Sequence, residues 1–170
     1  MPRLDPNAYL TASFTVKGDG PMLPGLVNLY RDGVYVGQGA VPLLSQTEEA
    51  TLGFGVDDLV EIERKEVSKK IGEEGLLTTS NIEERAWDIT VKNRHKGKMT
   101  VRILDRMPFS ATDDIEIEML PGMTAPTEKD FEKRRGVMAW SFDLEAQAES
   151  IIKTGYRLTW PENMRIGQAE

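Results

Sequence analysis

Apolar and polar side chains alternate at every second residue through most of this chain, in short runs separated by Gly, Pro, Asn and Asp. A period of two marks strands with one buried and one wet face, and it excludes a helical bundle, whose apolar residues recur about every 3.6 positions. About nine strands are predicted on this basis. The expected fold class is therefore all-β: an antiparallel β-sandwich, immunoglobulin-like or related, with a long protruding β-hairpin and at most one short helix. A length of 170 residues suits one domain, so a single domain over residues 1–170 is expected, with the hairpin over about 59–88.

In the first run Leu10, Ala12, Phe14 and Val16 alternate with Tyr9, Thr11, Ser13 and Thr15, and the first set is assigned to the core. The sharpest local signal is Asp32-Gly33 between Leu26–Arg31 and Val34–Val41. A two-residue type I′ turn needs positive φ at both central positions, which Asp and Gly tolerate. It pairs Arg31 with Val34, Tyr30 with Tyr35 and Leu29 with Val36, with the Leu29 face buried. A tyrosine pair across two strands is worth roughly 0.2–1 kcal/mol over alanines.

Leu52–Phe54 is predicted as a short strand, and Val56 is expected to open a longer one through Val60 and Ile62 into the charged stretch Glu63–Lys70. A loop at Gly72-Glu73-Glu74-Gly75 would set Ile71 opposite Leu76, Arg64 opposite Glu83 and Val60 opposite Trp87. Arg85–Asn93 puts Trp87, Ile89 and Val91 on one face, and its expected partner is Met99–Met107, joined by a loop of three or five residues so that their apolar faces agree. Further strands are placed at Ile115–Met119, Met138–Leu144 and Ile152–Trp160. The densest core is assigned to Met138, Trp140, Phe142 and Leu144 together with Ile152, Tyr156, Leu158 and Trp160. Thr127–Arg135 alone has helical character, for one or two turns, with Thr127 as cap, Asp130 in the third position and Phe131 as its apolar contact.

A formal charge of −7 opposes binding to nucleic-acid phosphate, which depends on Lys and Arg. No apolar run reaches the roughly 18 residues of a membrane helix, so no span is predicted. Without Cys there is no disulfide frame, thiolate nucleophile or zinc ribbon. Met1 to Pro6 lacks a charged segment followed by an apolar one, so no secretory signal is expected.

No catalytic set and no cofactor are predicted. The sole histidine, His95, sits among Lys92, Arg94, Lys96 and Lys98 in a polar loop and is read as a solvated turn residue, since a general base needs a partner to orient it. Asp57-Asp58 and Asp113-Asp114 are candidate acidic sites, yet neighbours on a strand point to opposite faces and calcium-loop spacing is missing. Gly37-Gln38-Gly39 and Gly53-Phe54-Gly55 lack the third glycine or the Gly-Lys-Ser/Thr of phosphate loops and are read as strand glycines. Trp87, Trp140 and Trp160 are read as core, whereas Tyr30 and Tyr35 form a candidate carbohydrate platform. The mixed-sign ribbon, with Arg64, Lys65, Lys69, Lys70, Glu73 and Glu74, is the candidate partner surface.

Taken in order, Ala8-Tyr9-Leu10-Thr11-Ala12-Ser13-Phe14, Leu23-Pro24-Gly25, Arg31-Asp32-Gly33, Leu52-Gly53-Phe54-Gly55-Val56-Asp57-Asp58, Ile89-Thr90-Val91-Lys92-Asn93, Asp113-Asp114-Ile115, Gly136-Val137-Met138-Ala139-Trp140 and Gly155-Tyr156-Arg157-Leu158 resemble the C-terminal domain of the bacterial mucoidy-inhibitor family, a domain of unknown function. The resemblance implies a β-rich domain that follows another β domain and a coiled-coil segment in a longer, often exported parent, and a periplasmic or cell-envelope setting. It carries over no catalytic residue. Three functions are thus weighed: a non-enzymatic protein-interaction or self-association domain, a module binding exopolysaccharide, and a metal-dependent hydrolase built on the acidic pairs.

Overall fold

The computed structural model describes residues 1–17, 19–74, 80–164 and 166. The protein is all-β with several antiparallel sheets, none closed into a barrel. Ten strands are described: β1 Tyr9–Thr15, β2 Gly25–Arg31, β3 Val34–Val41, β4 Glu49–Val56, β5 Val60–Glu74, β6 Ser80–Asn93, β7 Met99–Arg106, β8 Glu116–Met119, β9 Val137–Leu144 and β10 Glu149–Pro161. They fall into two compact units, residues 7–58 and residues 1–6 with 59–170.

In the unit of residues 7–58, β1 pairs with β4 and β2 with β3. Asp32 and Gly33 adopt φ of 51° and 81°, so the predicted turn forms and sets Tyr30 opposite Tyr35. One step further the ladder slips at a bulge, and Leu29 faces Gly37 instead of Val36. A two-residue turn fixes only the pairs beside it, because a bulge inserts a residue beyond its reach. Leu29 is buried as expected, along with Val41 and Leu44. Val56 closes β4 and does not open the next strand, which begins at Val60.

The larger unit places β5-β6-β10-β8 in one sheet and β7-β9 in another. Buried Val60, Ile89, Val91 and Ile152 from the first, and Val101, Ile103, Trp140 and Leu144 from the second, form the sandwich core. Tyr156, Leu158 and Trp160 are only half-buried. Their side of β10 lies in register with Arg85, Glu83 and Asn81, so this end of the long sheet is polar rather than apolar. The onset of β9 is buried on both faces, because Phe131, backed by Met1 and Leu104, covers Val137 and Ala139.

Three expectations are corrected. β7 pairs with β9, not with β6: the Arg94–Lys98 connection crosses between sheets, and an odd-numbered loop satisfies that arch as readily as it does a hairpin. The β5–β6 ladder sets Val60 opposite Asn93, Arg64 opposite Ile89 and Ile71 opposite Glu83, with Val67 bulged, since both strands run on to Glu74 and Ser80 past the expected loop. The predicted partner of Ile71, Leu76, lies outside the described residues. Finally, Thr127 does not cap a helix. Its hydroxyl donates to the Ala139 carbonyl at 2.9 Å and accepts from the Ser141 amide at 3.0 Å, fastening the segment to β9. Only a single 3-10 turn, Phe131–Lys133, follows, and Glu132 within it has a φ of 53°.

One side chain joins the two crossings. Asn93, fully buried, shares its two N–H groups among the carbonyls of Gly97 at 3.0 Å, Leu144 at 3.1 Å and Glu145 at 2.9 Å, and accepts the His95 amide at 2.8 Å. Gln147, held at a φ of 58°, donates back to the carbonyls of Arg94 and His95. The β6–β7 and β9–β10 connections are thereby stacked on each other. Asn93→Ala would strand several carbonyls, and we expect a loss of about 3 kcal/mol in urea unfolding. A loss below about 1 kcal/mol would mean that water replaces the amide there.

Candidate functional site

The pairing of β5, β6, β10 and β8 sorts the charges of the long sheet into two populations. Residues paired across antiparallel strands share a face. On one face, Lys70, Glu84, Arg157 and Glu118 form a row across all four strands with alternating sign. Glu61, Lys92 and Glu149 form a second row, and Lys65, Asp88 and Lys153 a third. Several members make ion pairs: Arg157 donates to Glu84 at 2.7 Å and to Glu74 at 3.3 Å, and Lys92 lies 3.2 Å from Glu149. Arg94, from the β6–β7 corner, holds Glu61 through two 3.0 Å bonds and draws its carboxyl below the usual range.

The opposite face holds the polar cluster of this unit. The Arg64 guanidinium lies 4.2 Å from the centre of the Trp87 ring and donates to Asp105 Oδ2 of β7 at 3.4 Å, bridging the two sheets. Asp105 is 3% exposed, and its other oxygen accepts the Arg106 amide at 2.9 Å. Beside them Arg85 is paired with buried Glu83, and Tyr156 packs on Trp87 at 5.6 Å. Burial pushes the Tyr156 phenol above its ordinary pKa, against the pull of Arg85 and with the support of Glu83. This cluster ties the sheets together, and among the described residues no buried side-chain polar atom lacks a partner.

Of the ribbon residues singled out in the sequence, the structure turns Arg64 inward and leaves Lys65, Lys69, Lys70 and Glu73 exposed, while Glu74 is engaged by Arg157. Tyr30 and Tyr35 meet edge-to-face at 5.7 Å and are 57% and 53% exposed, a surface open to a ligand. Beside them Gln38 donates to Asn28 at 3.1 Å. Asp57 is buried against Arg31 at 3.2 Å; Asp58, Asp113 and Asp114 are exposed. Among the described residues no group of three or more His, Asp or Glu side chains is gathered to hold a metal ion. Sequence reasoning missed Glu83, Arg85 and Asp105. Their signal was a charge at an in-facing position of a strand pattern, legible only once the register is known.

Removing one member of a buried ion pair strands its partner, whereas replacing both with apolar groups of similar size is often neutral. Arg64→Ala is therefore expected to cost about 3 kcal/mol, and Arg64→Met with Asp105→Leu to recover most of that loss, measured by chemical denaturation. Equal destabilisation in the single and double variants would show that the Trp87 contact, not the pair, carries the stability.

No curated protein and no solved structure matches this chain. Residues 10–162, nearly the whole of it, match a protein family. The chain belongs to the family described as Domain of unknown function (DUF4139).

Proposed function

We propose that this is a non-enzymatic interaction module of a bacterial cell-envelope protein, which takes up a protein partner, or a second copy of itself, along the free side of β5. The observation that carries the reading is the state of the charges on that strand. β5 is an edge strand of 15 residues. Its Lys65, Lys69 and Lys70 have no carboxylate within ion-pairing distance among the described residues, although the neighbouring strands are laced with ion pairs. Exposed Val67 and Ile71, at 51% and 61%, flank Lys69 and Lys70. The bulge at Val67 interrupts the outward backbone edge, so recognition goes through side chains rather than by adding a strand. An acidic partner segment with apolar residues at intervals fits this surface. The envelope setting is supported by the ordered resemblance to the mucoidy-inhibitor domain.

A pull-down with the triple charge reversal Lys65→Glu, Lys69→Glu and Lys70→Glu is expected to lose the partner with the fold intact by circular dichroism. Retention of every partner sinks this reading.

A second reading, a carbohydrate-binding face, is favoured by the exposed Tyr30–Tyr35 pair with the Asn28–Gln38 amides beside it, since sugars are held by ring stacking together with amide hydrogen bonds. Titration with neutral and acidic polysaccharides is expected to give saturable binding that Tyr30→Ala with Tyr35→Ala abolishes. Silence toward all of them removes it.

A further inference from the structure

A cavity of about 500 Å³ opens in the larger unit beside the Met1–Pro6 segment, the end of β7 and the turn leading into β9. Its volume is within the range of small-molecule sites, about 300–1,000 Å³. Four arginines line it, Arg3, Arg106, Arg134 and Arg135, against one acidic residue, Asp105. That carboxylate is already committed to Arg64 and to a backbone amide. Arg134 is paired with Glu132 at 3.0 Å. Arg3, Arg106 and Arg135 have no carboxylate within ion-pairing distance among the described residues.

Three uncompensated guanidiniums facing one cavity stand out in a protein whose formal charge is −7. Two of them share a support: Arg135 lies 4.7 Å and Arg106 5.4 Å from the centre of the Phe109 ring. Arg135 is fixed further by donating to the Ser110 carbonyl at 2.9 Å. Stacking holds planar forks in place in advance, and a preset fork accepts two oxygens of one anion with little ordering cost. Like charges drawn to a single ring repel one another, and an anion set between them removes that repulsion.

We propose that this cavity is a binding site for a small organic oxyanion, a molecule carrying a phosphate or a carboxylate. Arg106 and Arg135 grip the oxyanion, Arg3 adds a third positive group at the rim, and Phe109 offers an apolar wall to the rest of the molecule. The site stands apart from the β5 surface and does not depend on it.

Calorimetric titration of the full chain with glucose 6-phosphate, glucuronate, inorganic phosphate and glucose tests this. One or both sugar anions are expected to bind at one site per chain, glucose not at all, and the tighter of the two identifies the oxyanion. Arg106→Gln with Arg135→Gln is expected to weaken binding at least about tenfold, while Lys17→Gln, at an exposed lysine outside this cavity, leaves it unchanged. If circular dichroism shows that the double variant is unfolded, Arg3→Gln carries the test, with an expected weakening of about threefold. Absence of binding by both sugar anions, equal binding of glucose, inorganic phosphate binding as tightly as the sugar anions, or affinity untouched by the arginine substitutions would each overturn the proposal.

Discussion

The larger unit depends on a buried amide. Asn93 ends a strand whose preceding in-facing residues, Ile89 and Val91, are fully buried, and there the chain leaves one sheet for the other. An arch of this kind turns carbonyls inward that no ladder can satisfy, and leaving them unpaired in a dry interior costs about as much as a lost hydrogen bond each. Asn93 meets that need for both arches at once, by reaching Leu144 and Glu145 as well as its own loop. Apolar burial supplies most of the driving force in such a core, but it is non-directional. The amide network specifies which loop lies over which.

The charges follow the same economy of position. Along the rows of the long sheet acids and bases alternate across strands, and Arg157 with Glu84 and Lys92 with Glu149 close as ion pairs. Where a charge must enter the interior, as at Arg64 and Asp105, it does so as half of a pair with a ring beneath it. Two groups of cations make no ion pair among the described residues: the lysines of β5, at the edge of these rows, and the arginines around Phe109. Unpaired charges contribute little to folding and much to recognition, which is why the functional proposals rest on them.

The fold class was legible in the two-residue period, and so was the Asp32-Gly33 turn, because both are local. The Tyr30–Tyr35 pair and the burial of Leu29 followed from that turn. What could not be read was anything set by a distant partner. The β5–β6 ladder runs on to Glu74 and Ser80, which moved Arg64 from opposite Glu83 to opposite Ile89, and thus from the surface to a bridge between sheets. Nothing in Arg94–Lys98 distinguishes a hairpin from an arch, so β7 was assigned to the wrong sheet. The stacking of Arg106 and Arg135 on Phe109 joins residues on separate elements. Arginines scattered in a sequence announce no cavity.

The order β5-β6-β10-β8 puts the strand that comes latest in sequence among these four in the middle of the sheet. While the ribosome is still adding β9, β6 has β5 on one flank and an open flank on the other, where Glu83, Ile89 and Val91 await β10. An unsatisfied strand of that length is a template for the wrong neighbour. The open flank of β6 is therefore closed to mispairing only once β10 is in place.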